Sequence, residues 1–171
     1  TATGTCITIS AHNIIYDGAY FNITGDGGTS DYGFTSAAQY DNLTFKNINL
    51  YKFGRPFQMT AANKNIKLEN LYIFNTTSDF GIQVGDGTNQ TLNNITYYKF
   101  TTGISIYPIA KNSYYTNIYL TEPIAFYGVI NNILVENITL VTTSTTFNIG
   151  TIIITNSKFK NITTNADTIF T

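Results

Sequence analysis

A short phrase recurs along this chain of 171 residues: an apolar residue, any residue, Asn, and then Ile or Leu. The Asn residues of the phrase are Asn22, Asn47, Asn70, Asn94, Asn117, Asn137 and Asn161. Successive copies are 25, 23, 24, 23, 20 and 24 residues apart, so the period is near 23. A regular period of this length indicates a repeat architecture, in which each unit buries its core against the next.

The sequence around each Asn predicts a strand that bends. Leu43 and Phe45 alternate onto one face, but the next apolar residue, Ile48, follows three positions later. The strand must therefore bend at Lys46 and Asn47, and Asn tolerates the left-handed backbone conformation that such a bend needs. Two inward columns of core residues follow from this pattern. They are Phe45, Leu68, Leu92, Tyr115, Val135 and Phe159, and then Ile48, Leu71, Ile95, Ile118, Ile138 and Ile162.

A second apolar strand follows each bend, usually after a glycine or a small polar turn. Its residues are Phe57 and Met59, Ile82 and Val84, Ile104 and Ile106, Ile124 and Phe126, Phe147 and Ile149, and then Ile169 or Phe170. Strands that return in one direction with links too short for a crossover helix can be hydrogen-bonded only as a coil. We therefore predict an all-β fold, a right-handed parallel β-helix (solenoid) of about seven coils, with residues 1–171 as a single domain.

Composition excludes several functional classes. The net charge is -1 with no run of either sign, which gives no field for binding nucleic acid or an anionic membrane. No apolar stretch approaches the roughly 20 residues of a membrane span. Cys6 is the only cysteine, so an internal disulfide is impossible, and we interpret it as a buried structural thiol. The 29 Thr and 21 Asn residues supply a neutral polar surface, which favours an extracellular location at a cell or virion surface.

The turn pattern resembles that of the right-handed parallel β-helix superfamily, which includes pectate lyases, phage tailspikes and many cell-surface adhesins. The resemblance covers nearly the whole chain and is one of architecture and turn pattern. It implies the fold, and by itself not an activity. It also implies that the bend Asn side chains stack inside the coil as a hydrogen-bonded ladder.

The enzymatic chemistries of this superfamily need residues that the sequence does not bring together. Polygalacturonase-like members use clustered aspartates with a His and an Arg-Lys motif, whereas His12 and Arg55, the only residues of their types, fall on different coils. Calcium-dependent lyases need several carboxylates on neighbouring coils, and the ten acidic residues do not share a repeat position. We interpret the glycine-rich segments 25–28 and 85–87 as ordinary turns. We therefore predict no catalytic residue, no metal site and no cofactor.

Seven Asn residues lie in N-glycosylation sequons: Asn22, Asn42, Asn75, Asn89, Asn94, Asn137 and Asn161. Four of the seven are also bend residues, and an Asn that points inward cannot carry a glycan. The three sequons outside the bends, at Asn42, Asn75 and Asn89, are therefore the first candidates for glycosylation.

Two sets of side chains are predicted on the surface. Tyr51, Tyr98, Tyr107, Tyr114 and Tyr119 could stack on sugars or on a partner chain, with ordinary surface tyrosines as the alternative. The position before each bend Asn places Lys46 beside Glu69, and Glu136 beside Lys160, on adjacent coils. The exposed tyrosines make carbohydrate one candidate partner.

Two hypotheses of function follow. The first is a non-enzymatic extracellular structural or adhesive module, a building block of a surface protein, virion fibre or secreted filament, and a unit of a longer assembly. It is motivated by residues 166–171, which match the second strand of a further coil and would leave the last coil open for self-association or for other coils of a longer chain. The alternative is a polysaccharide-degrading enzyme, a lyase or glycoside hydrolase, that uses the groove of the β-helix.

Overall fold

The computed structural model describes residues 4–36, 38–59, 62–77, 81–85, 87–99, 104–106, 109–121, 124–126, 129–141, 147–149 and 153–165. The strands in chain order are β1 (Thr5–Thr8), β2 (Ile15–Asp17), β3 (Asn22–Thr24), β4 (Tyr32–Ser36), β5 (Leu43–Tyr51), β6 (Arg55–Met59), β7 (Ile66–Thr76), β8 (Ile82–Val84), β9 (Gly87–Thr88), β10 (Thr91–Lys99), β11 (Ile104–Ile106), β12 (Ile109–Leu120), β13 (Ile124–Phe126), β14 (Val129–Leu140), β15 (Phe147–Ile149), β16 (Ile153–Thr155) and β17 (Lys158–Thr164). None of the described residues belongs to a helix long and apolar enough to cross a membrane.

The strands form two sheets in which neighbours pair in parallel. One sheet has the order β1-β4-β6-β8-β11-β13-β15, and the other has the order β16-β14-β12-β10-β7-β5-β2. Three further strands join the second sheet, with β17 on β14, β3 on β5 and β9 on β12. The chain thus alternates between the sheets and climbs one turn at a time, which confirms the predicted parallel β-solenoid. The right-handed sense of the coil stays a prediction.

The stack amounts to about five turns with a period of about 24 residues, slightly fewer than the seven coils predicted. The first coil departs from the regular register, because Asn22 pairs with Asn49 and not with the bend residue Asn47. Asp17 pairs with Lys46, so four residues (18–21) lie opposite only two in the next coil. Within residues 18–21, Ala19 and Tyr20 have the left-handed conformation, with φ of 46° and 61°. The turn of the first coil therefore precedes Asn22, and the assignment of Asn22 as a bend residue was wrong.

The two predicted inward columns are confirmed. Phe45 pairs with Leu68 and Ile48 pairs with Leu71, and both columns continue in register to Phe159 and Ile162. The side chains are buried throughout, except that Phe159 and Ile162 are partly exposed. Burial of each such side chain contributes about 1.5–3 kcal/mol. The apolar pairs predicted for the strand after each bend, from Phe57 to Ile149, lie in β6, β8, β11, β13 and β15 of the seven-stranded sheet. Ile169 and Phe170 lie outside the described residues.

Candidate functional site

Each regular bend has an Asn in the left-handed backbone conformation. These residues are Asn47, Asn70, Asn94, Asn117, Asn137 and Asn161, with φ between 52° and 55°. In β5, Phe45 and Ile48 are both buried, whereas the two residues between them are partly exposed. Because the apolar residues on either side of the bend fill the interior, the Asn at the corner is directed outward.

The bend Asn side chains are hydrogen-bonded from coil to coil, and we call this row the bend ladder. Asn70 Nδ2 donates to Asn47 Oδ1 at 2.8 Å, and Asn94 Nδ2 donates to Asn70 Oδ1 at 2.8 Å. The row continues at 3.1 Å from Asn137 to Asn117 and at 3.0 Å from Asn161 to Asn137, while Asn117 donates to Asn93. The ladder lies on the surface, so the expectation that it stacks inside the coil was wrong.

A second row, the corner ladder, lies at the other end of each pre-bend segment. Asn42 Nδ2 donates to Asn13 Oδ1 at 2.7 Å, Asn65 to Asn42 at 2.7 Å, and Asn89 to Asn65 at 2.9 Å. Sequence reasoning missed this ladder, although its signal is present as a second Asn five residues before each regular bend Asn. The six are Asn42, Asn65, Asn89, Asn112, Asn132 and Asn156, all with φ between 50° and 60°.

Aromatic side chains collect on the outer face of the segments that follow the bends. We call the group Tyr51, Tyr72, Phe74, Tyr98 and Tyr119 the aromatic patch. Register places Tyr51 against Phe74 and Phe74 against Tyr98. Neighbouring ring centroids are 5.3–6.4 Å apart. All five side chains are partly exposed, and Phe74 is 42% exposed.

The patch is apolar in its rings and polar at its margin. A shallow open depression beside it is lined by Tyr20, Asn49, Asn70, Leu71, Tyr72, Asn94 and Thr96, so the bend ladder forms one wall. Burial among the rings, with the neighbouring hydroxyls of Tyr51 and Tyr98, raises the pKa of Tyr72 above 10.0. The Tyr72 hydroxyl group therefore stays neutral at ordinary pH and can donate and accept hydrogen bonds.

Three of the five predicted surface tyrosines meet in the patch, namely Tyr51, Tyr98 and Tyr119. Tyr114 is 54% exposed but lies before the bend, on the face between the two ladders. Tyr107 lies outside the described residues. Sequence reasoning missed Tyr72 and Phe74, although they stand two and four residues after Asn70, the same offsets that place Tyr119 after Asn117 and Tyr51 after Asn47.

The residues considered for catalysis have structural contacts. His12 Nδ1 accepts the N–H of Asp41 at 3.0 Å, and the Arg55 guanidinium lies 5.7 Å from the Tyr32 ring centroid. In the described ranges, no three His, Cys, Asp or Glu side chains are grouped so that they could hold a metal ion. Cys6, predicted as a buried thiol, is only partly buried against the core.

The predicted ion pairs are confirmed at one place and wrong at the other. Lys160 binds Glu136 at 2.7 Å, as the sequence predicted. Lys46 lies in register with Glu69, but its Nζ is 3.3 Å from Asp17 on the preceding coil. Glu69 is paired within its own strand with Lys67 at 2.9 Å. The structure thus confirms the register at both places, but Lys46 and Glu69 each take a different partner.

The sequon residues are all accessible to some extent. Asn75 is partly exposed and the other six are exposed. Asn42 and Asn89 belong to the corner ladder, whereas Asn94, Asn137 and Asn161 belong to the bend ladder. Asn22 accepts a hydrogen bond from Asn49 at 3.1 Å. The conflict expected between bend geometry and glycosylation therefore disappears, and glycosylation at the seven positions stays a prediction.

Compared with known proteins, the chain matches no family model, and no curated protein or solved structure is significantly similar to it. What is established is the architecture, a solenoid of parallel strands with hydrogen-bonded Asn rows on its surface.

Proposed function

We propose that this chain is a non-enzymatic structural or adhesive module of an extracellular β-helix protein or fibre, and that the aromatic patch is its contact surface. The observation that carries the proposal is the outward grouping of Tyr51, Tyr72, Phe74, Tyr98 and Tyr119 on successive coils. Contiguous exposed rings with polar margins are typical of surfaces that bind another molecule.

The scaffold suits a binding role because the patch lies on paired strands. Behind Tyr72 and Phe74, the side chains of Leu71 and Ile73 are buried, so the patch strand is anchored in the core. The bend ladder fixes the adjacent corner. Sites on such regular elements are held more firmly than sites on loops. We therefore place the chain nearer to the adhesin type of β-helix than to the lyase type.

The enzymatic alternative would need acidic groups that are free to act on a substrate. Asp17 is bound to Lys46, to Asn47 and to the N–H of Ala19. Asp31 is buried and accepts the N–H groups of Gly4 and Gly28. These partners favour structural roles for both carboxylates.

A retention assay with a product assay tests the proposal. Beads carrying the protein are passed over surfaces coated with polysaccharides, with proteins or with lipid vesicles, and the supernatants are analysed for reducing ends and unsaturated sugars. We expect retention on at least one surface, weakened by Phe74→Ala and unchanged by Tyr114→Ala, with no sugar product. Release of product would establish the enzymatic alternative, and retention that is insensitive to Phe74→Ala would exclude the patch.

A further inference from the structure

The composition of the patch points to the class of its ligand. Resting on the function proposed above, we propose that the aromatic patch binds a neutral polysaccharide chain. Four of its five rings are tyrosines, each with an apolar face and a polar hydroxyl edge. A sugar ring has the same two-sided character, with C–H groups on its faces and hydroxyl groups around its rim, so both kinds of group find a partner on the patch.

The arrangement of the rings fits an extended ligand better than a compact one. Tyr51, Phe74 and Tyr98 occupy one row in register, one ring per coil, and the neighbouring centroids are 6.2 and 6.1 Å apart. Tyr72 and Tyr119 occupy the adjacent row, two coils apart. The rings therefore repeat along the solenoid axis, as the rings of a polysaccharide repeat along its chain.

A hydrogen-bonding group lies between the rings of the second row. Thr96 is in register with Tyr72 on one side and with Tyr119 on the other, and it is partly exposed. Its hydroxyl can donate to or accept from a sugar hydroxyl seated between the two tyrosines. Asn49 extends the same row beyond Tyr72 and lines the depression beside it.

The charge of the patch favours an uncharged ligand. The outward positions of segments 48–51, 71–74, 95–98 and 118–121 are occupied only by Asn, Thr, Tyr and Phe. An acidic polysaccharide would meet no cationic side chain at these outward positions, and binding there would require desolvation of its carboxylates or sulfates. A neutral chain incurs no such cost.

Affinity electrophoresis tests this inference on the whole chain. The protein is run in native gels that contain a neutral β-glucan, mannan or xylan, with polygalacturonate as the acidic comparison. We expect retardation by at least one neutral polysaccharide and none by polygalacturonate. Phe74→Ala and Tyr98→Ala should each weaken binding about fivefold to tenfold, because each removes one stacking ring.

Two controls separate loss of the patch from loss of the fold. Tyr114→Ala removes an exposed ring from a different face and should leave retardation unchanged. Tyr98→Phe keeps the ring and should retain binding within about threefold, because only the hydroxyl contact is lost. Circular dichroism of each variant establishes that the β-sheet content is that of the parent protein.

The possible results distinguish failure of the polysaccharide inference from failure of the proposed adhesive function. Failure to bind any neutral polysaccharide, or binding to polygalacturonate alone, overturns the inference. Sedimentation that shows association of two copies through the patch, without sugar binding, assigns the patch to a second copy of this chain and also overturns it. In both cases the bead assay can still show adhesion through the patch, so the proposed function fails only on its own test.

Discussion

Asn70 donates its side-chain amide to Asn47 Oδ1 across one turn at 2.8 Å, and the two residues have φ of 53° and 55°. Asn thus has two roles at this corner. Its tolerance of the left-handed conformation turns the strand, and its amide links that turn to the same turn of the next coil. The repeat is therefore held at its corners as well as by its core.

Replacing Asn70 separates these two contributions. Asn70→Ala loses the hydrogen bonds to Asn47 and Asn94 and places Ala in the left-handed region, so we expect a destabilisation of about 2–3 kcal/mol. Asn70→Gly loses the same bonds without the backbone cost and should be destabilised by about 1–2 kcal/mol. Urea denaturation measures both. Equal stability of the two variants would show that the backbone conformation contributes nothing.

The fold should be weakened by alkali through Tyr115. Burial raises the pKa of its hydroxyl group far above the ordinary value, and the hydroxyl donates to Gln90 Oε1 at 2.9 Å. Because the pKa is higher in the folded state, this contribution to stability is complete below about pH 10 and is lost as pH rises beyond it. Tyr115→Phe should cost about 1 kcal/mol at pH 7 and reduce the loss at high pH. Denaturation at pH 7 and pH 11 checks this, and an unchanged slope in the variant would contradict it.

Acid should weaken the first coils through Asp31. A hydrogen bond shared with the Asp26 carboxyl group, together with the N–H groups of Gly4, Gly28 and Asp26, holds the pKa of Asp31 below 3.8. Its contribution to stability is therefore present above about pH 4 and is lost as pH falls through the lowered pKa. Asp31→Asn should be less stable at pH 7 and lose less stability on acidification. A parallel loss in both proteins between pH 5 and pH 2 would contradict this role.

Glycan occupancy should be incomplete if the chain passes through a host that glycosylates sequons. Neighbouring coils are about 4.8 Å apart, so glycans on successive members of one ladder would overlap. Asn75, partly exposed and placed in neither ladder, should be among the occupied positions. Intact mass and peptide mapping after enzymatic deglycosylation would count the glycans. Occupancy of all seven sequons, or an empty Asn75, would contradict the prediction.

The sequence predicted the repeat and the core because each regular coil repeats the same alternation around its bend, as at Phe45 and Ile48. It did not predict the turn of the first coil, since the phrase at Asn22 has the right residues while two extra residues displace its register. The resemblance to known β-helices implied that the bend Asn lies inside, but the apolar residues on both sides of the bend occupy that interior. For the aromatic patch, the sequence predicted the exposure of Tyr51 and Tyr98. It did not predict that their rings lie together, because that depends on the register between coils.

The aromatic patch as the contact surface is tested most directly by aromatic NMR spectra of Tyr- and Phe-labelled protein. Neutral β-glucan, mannan and xylan oligosaccharides are titrated into the protein, and single Tyr→Phe variants and Phe74→Tyr assign the signals. We expect saturable shifts of the ring signals of Tyr51, Tyr72, Phe74, Tyr98 and Tyr119, with the Tyr114 signals unchanged. Shifts confined to Tyr114, or no shift at saturating sugar, would contradict it.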